Sequence, residues 1–89
     1  MTLEQLVSKY ISAAESVFKE ITISNVVSNI DEEKMNDVIE YAKQYLEDAK
    51  YYQKENMLET SLASVSYCEG LLDALRMLEV VKFSWPAKK

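Results

Sequence analysis

Apolar residues recur at three- and four-residue steps from the start of the chain. Leu3, Leu6, Val7, Tyr10, Ala14, Val17, Phe18 and Ile21 fall on one side of a helical wheel, and Glu4, Ser8, Ser12, Glu15 and Lys19 take the other. This spacing predicts an amphipathic helix over about 3–21. Thr2, followed three residues later by Gln5, fits a reciprocal cap at its start. The stretch TISNVVSNI, 22–30, breaks the rhythm. Its β-branched residues, Ser and Asn suit a loop with an extended turn, from which Val26, Val27 and Ile30 pack back onto the body.

The rhythm resumes at Met35, Val38, Ala42, Tyr45, Ala49 and Tyr52, with Ile39 and Leu46 widening the stripe. A second helix follows, over about 32–54, with an acidic first turn (Asp31, Glu32, Glu33) that suits the helix dipole. Asn56, three residues before Glu59, has the pattern of a second capping box and opens a third helix over about 57–80. Leu58, Leu62, Val65, Cys68, Leu72, Leu75 and Leu78 mark its buried side, and Leu71 widens it. Pro86 ends helical structure within the tail, 81–89, where Phe83 and Trp85 are placed to clamp onto the end of the body. The short link between helices two and three makes them antiparallel neighbours. The expectation is an all-α fold in one domain over 1–89: an up-and-down antiparallel three-helix bundle with a left-handed twist.

One position resists this pattern. Gly70 is the only glycine, and it sits inside helix three, where glycine costs about 1 kcal/mol relative to alanine. Ser66, Gly70 and Ala74 lie four residues apart, with Ala63 beside them, and the wheel sets this small-residue stripe next to the leucine side. Small residues let a second backbone approach closely. That backbone belongs either to helix one or two of the same chain, or to a second subunit or another protein. Tyr67, Glu69, Asp73 and Arg76, the only arginine, flank the stripe. They read either as a solvated ion-pair set or as a polar docking site beside a groove. Tyr41, Tyr45 and Tyr52 make a second candidate surface along one edge of helix two, or else cover the edge of a small core.

Composition narrows the chemistry. The net charge of −5 repels phosphate backbones, so direct nucleic-acid binding is not expected. The chain has no histidine and a single cysteine, which removes the commonest general base and any cysteine-based zinc site. Cys68 reads as an inert buried thiol. Ser61, Ser64 and Ser66 have no histidine to activate them, and one glycine cannot build a phosphate loop. Glu33, Asp37, Glu40 and Glu47 share a helix face, but Lys34, Lys43 and Lys50 are interleaved, which favours ion pairs over a metal site. No cofactor and no metal are expected. No apolar run approaches the roughly 20 residues that cross a bilayer, and MTLEQLVSKYISAAES lacks the pattern of a signal peptide. An intracellular, soluble protein is expected, with no membrane partner.

The stretch YAKQYLEDAKYYQKENMLETSLASVSYCEGLLDALRML, 41–78, resembles a small archaeal family of uncharacterised helical proteins, number 357 in the domain-of-unknown-function series. The shared core is a helix rich in tyrosine and alanine, a short turn, and SYxEGLLDALR, here residues 66–76, with Cys68 where alanine is the family's residue. The resemblance implies a compact three-helix bundle of archaeal, cytoplasmic origin. It carries over no activity and no functional residue. It also implies company with nucleotidyltransferase-type catalytic domains, which would suit an accessory role.

The expectation for function is therefore a non-catalytic module for protein interaction or self-association, with a homodimer as one form. The alternative is an accessory helical domain for a nucleotide- or RNA-processing enzyme. The first candidate surface is Ala63, Ser66, Tyr67, Glu69, Gly70, Asp73, Ala74 and Arg76; the second is Tyr41, Tyr45 and Tyr52.

Overall fold

The computed structural model of the chain describes residues 1–24 and 31–86. Three helices dominate it: α1 (Leu3–Glu20), α2 (Glu32–Lys54) and α3 (Leu58–Met77). The start of α1 is the reciprocal cap that its sequence spells. Gln5 N–H donates to Thr2 Oγ1 at 3.1 Å, and Thr2 N–H donates to Gln5 Oε1 at 2.9 Å. α2 starts on Asp31, whose carboxylate accepts from Glu33 N–H at 2.9 Å. The expected packing of Val26, Val27 and Ile30 lies outside the described residues.

α3 starts differently from expectation. No side chain caps it, and Asn56 instead closes α2. Asn56 has φ 61°, Met57 N–H returns to Tyr52 O, and Asn56 N–H returns to Gln53 O. This is a Schellman end with asparagine in the left-handed position. The same motif closes α3 at Met77, three residues earlier than expected. Glu79 has φ 63°, Val80 N–H returns to Leu75 O, and Glu79 N–H returns to Arg76 O. Leu78 is thereby turned outward and exposed, not buried as its spacing suggested.

The reversal at Glu79 has a purpose in packing. It swings Val80 and Val81 back onto the body, where both are buried with Met35, Ile39 and Leu75 in a second apolar cluster. Val81–Lys82 (β2) pairs antiparallel with Thr22–Ile23 (β1), in the register Thr22↔Lys82 and Ile23↔Val81. The otherwise helical fold thus carries one two-residue β ladder, tying the segment after α1 to the segment after α3. Helical spacing holds no signal for so short a pairing.

The main core gathers Val7, Ile11, Ala14 and Val17 of α1, Ala42, Leu46 and Ala49 of α2, and Val65, Cys68 and Leu72 of α3. The most extensive pairing is α2 with α3, and α1 rests chiefly on α3. Ser61 Oγ donates to Ala49 O at 2.6 Å inside the core, and the Tyr45 and Tyr67 rings stack farther along. Moving back along α2 thus matches moving forward along α3, so the two are antiparallel. The small residues enclosed between the helices are Ala14, Ala42, Ala49, Ser61 and Cys68. Ser66, Gly70 and Ala74 are not among them; all three are exposed. The inward serine was not legible from apolar spacing, because its hydroxyl is satisfied by a backbone carbonyl that only the folded pair supplies.

Candidate interaction surface

α3 is the least amphipathic and most apolar of the three helices. Its inner side fills the core. Its outer side shows Thr60, Ala63, Ser66, Tyr67, Gly70, Ala74, Met77 and Leu78, all exposed, with Leu71 half-buried at the edge. Charge enters this face at Glu59, exposed near the start of α3, and at Asp73 along one edge. A helix apolar on both sides is ordinarily covered on both sides. The stripe expected beside the leucine side stands away from the core, opposite buried Val65, Cys68, Leu72 and Leu75, and only the half-buried Leu62 and Leu71 border it.

Gly70 decides between the two readings of the stripe. Among the described residues, a methyl group placed on it would meet nothing within 4 Å beyond its own helical turn. No helix of this chain fills the space above it. That space is an open groove of about 450 Å³ lined by Ala63, Ser66, Tyr67, Gly70 and Leu71. Tyr67 forms one wall. Its ring stacks on Tyr45 of α2 with centroids 5.2 Å apart and planes 17° apart, yet the residue stays 64% exposed. Stacking of this kind contributes about 0.5–1.5 kcal/mol beyond area burial and holds the ring upright.

The two candidate surfaces therefore meet at one point. Tyr45 joins the groove through Tyr67, and it also packs on the core. Tyr41 stands one turn from Tyr45 on α2 and is 64% exposed. Tyr52 does not join them; it is half-buried and lies edge-on to Tyr51 at 5.4 Å.

Asp73 and Arg76 belong to a different contact. Trp85 Nε1 donates to Asp73 Oδ1 at 2.7 Å, and Arg76 Nη2 reaches the same oxygen at 3.3 Å. The Arg76 guanidinium lies 6.0 Å from the centre of the Phe83 ring, which meets Trp85 edge to face at 5.2 Å. Their polar heads hold the chain's own tail, so the flanking polar set is neither a bare solvated pair nor an empty docking site. Glu69 is half-buried beside Cys68.

The remaining candidate chemistry resolves into structure. Cys68 is wholly enclosed, and burial, reinforced by the negative charge of Glu69, pushes its thiol up to about 12. It is held as the neutral thiol at physiological pH, with little of the thiolate that reacts. The interleaved lysines pair as their spacing predicts: Lys43 with Glu40 at 3.5 Å and Lys50 with Glu47 at 3.4 Å. Lys50 also bridges to Glu15 of α1 at 2.8 Å, and that hydrogen bond raises its pKa. Among the described residues, no three His, Cys, Asp or Glu side chains converge to hold a metal ion. Among the same residues, no helix is long and apolar enough to cross a membrane.

A model of the family described as protein of unknown function (DUF357) matches residues 9–81. No curated protein and no solved structure matches the chain.

Proposed function

Because the chain belongs to the DUF357 family of proteins of unknown function, whose description carries no activity, we propose from its surface that it is a non-catalytic protein-interaction module acting in the cytoplasm. The outer face of α3 is the docking surface, and a helix is the element it takes. Gly70 is the observation that carries this reading. An interior glycine weakens its helix by about 1 kcal/mol, and nothing among the described residues uses the space it leaves. A second helix crossing at Gly70 uses it, since small residues at the crossing bring two backbones closer than the usual interaxial distance of about 8–10 Å.

The neighbouring residues fit the same use. Tyr67 offers a large ring held in place by Tyr45, so little side-chain entropy is lost on docking. Ala63, Gly70, Leu71 and Ala74 supply an uncharged floor. The test is site-specific photocrosslinking in the native cell, with benzoylphenylalanine at Ala63 on α3 and at Ser12 on the outer face of α1. The expected result is a discrete protein adduct from position 63 and none from position 12. Equal adducts from both, or none from either, would overturn the reading.

A further inference from the structure

We infer that residues 80–86 form an exchangeable arm, and that two copies of this chain pair by trading arms, each arm seated on the other copy's body. The exchange uses the seat of the tail and not the outer face of α3, so it does not rest on the reading above. The arm joins the body through one reversal, at Glu79, whose φ of 63° strains a residue that bears a side chain. A short hinge under strain favours exchange of the segment beyond it. Apolar spacing carries α3 on to about residue 80, which gives the hinge a second conformation without that strain. In the reversed form Glu79 N–H bonds Arg76 O and Val80 N–H bonds Leu75 O. With α3 straight through Glu79, the same two donors bond the same two carbonyls with partners exchanged, Glu79 to Leu75 and Val80 to Arg76, as helical geometry requires. Straightening relieves the strain and gives up no hydrogen bond. It also points the arm away from its own seat.

The seat accepts an arm from either chain. Val80 and Val81 are buried with Met35, Ile39 and Leu75, and Val81–Lys82 pairs with Thr22–Ile23. Phe83 and Trp85 pack on the main core, and Trp85 Nε1 donates to Asp73 Oδ1. Apart from the turn at Glu79, each of these contacts is made through space, so a second copy's arm reproduces it. Charge favours the exchange between copies. All 15 acidic residues precede Val80, whereas 80–89 holds Lys82, Lys88 and Lys89 and no acid. A cationic arm therefore meets an acidic body, although the whole chains, at −5 each, repel. The contacts being equal, the hinge decides between the single chain and the pair.

The purified full chain tests this. Mass is measured by sedimentation equilibrium up to millimolar concentration for wild type and Glu79→Gly. Thr22→Cys and Lys82→Cys chains, purified separately, are then mixed, incubated and oxidised, and the joined peptides are identified by mass spectrometry. Positions 22 and 82 are exposed and face each other across the ladder, while Cys68 is enclosed and does not compete. A mixture of Thr22→Cys with Ser12→Cys measures chance collision. The first expected result is a wild-type mass approaching twice 10.3 kDa. The second is a dimer about tenfold weaker in Glu79→Gly, where glycine removes the strain from both hinges. The third is a 22–82 disulfide formed roughly tenfold faster than a 22–12 disulfide, since the bond needs Cα atoms within about 7 Å. A wild-type chain that stays monomeric at millimolar concentration overturns the inference. So does a Glu79→Gly chain that dimerises as tightly as wild type, or a dimer in which position 22 joins 82 no faster than 12.

Discussion

Trp85 Nε1 donates to Asp73 Oδ1 at 2.7 Å, and this bond fastens the end of the chain to the side of α3. The donor and acceptor are twelve residues apart, separated by the reversal at Glu79. The bond is partly buried and charge-assisted, a class worth about 1.5–3 kcal/mol. Trp85→Phe keeps most of the ring and deletes the donor. The expected outcome is a loss of about 1–2 kcal/mol, read as a fall in Tm of roughly 4–8 °C per kcal/mol for a domain of this size. Asp73→Asn should cost less, because an amide oxygen still accepts. Equal stability of Trp85→Phe and wild type in thermal melts would refute the latch.

Glu79 occupies the left-handed region at φ 63°. A side chain there strains the backbone by about 1–2 kcal/mol, and glycine carries no such penalty. Glu79→Gly should therefore stabilise the chain by about 0.5–1 kcal/mol, despite the greater freedom glycine gives the unfolded state. Chemical denaturation with an unchanged m-value and a higher midpoint would confirm it; a lower midpoint would show that the Glu79 side chain makes a contact worth more than the strain.

Cys68 links stability to pH. Its thiol is raised from 9.0 to about 12 on folding, chiefly by burial. Below pH 9 both states hold the proton and pH has no effect through this group. As pH rises from 9 toward 12 the unfolded chain releases the proton while the folded chain keeps it, so folding stability declines over that window. Cys68→Ala should flatten the decline at the cost of a small cavity. Thiol reagents at pH 8 should label Cys68 at the rate of unfolding, and rapid labelling under native conditions would contradict the enclosure.

Most of the helical layout was legible in the sequence because apolar spacing reports burial directly. α1 and α2 begin and end within a residue of their predicted bounds. The errors share one cause. Asn56 and Glu79 adopt positive φ without the glycine that usually marks such a turn, so sequence pattern alone assigns Asn56 to the cap of the next helix and runs α3 past Glu79. From the second error came the misplacement of Leu78 and the absence of any signal for β2. The candidate surface was half legible. Small-residue spacing locates Ser66, Gly70 and Ala74, and helical phase sets them opposite Val65, Cys68, Leu72 and Leu75, so that only the half-buried Leu62 and Leu71 border them. The stack of Tyr45 on Tyr67 joins two helices and has no local signature at all.

The central claim, that the outer face of α3 is spare within the chain and serves as a docking surface, is tested most directly by one comparison. Benzoylphenylalanine crosslinking from position 63 in the native cell is compared for wild type and Gly70→Leu, with helix content followed by circular dichroism on the purified chains. A Cβ at position 70 meets nothing among the described residues, leucine favours helix by most of the roughly 1 kcal/mol that glycine forfeits, and its branched side chain blocks the crossing point of a docked helix. The account predicts a protein adduct in the wild-type background, its loss in Gly70→Leu, and undiminished helix content. A Gly70→Leu variant that unfolds, or one that keeps the adduct, would contradict it.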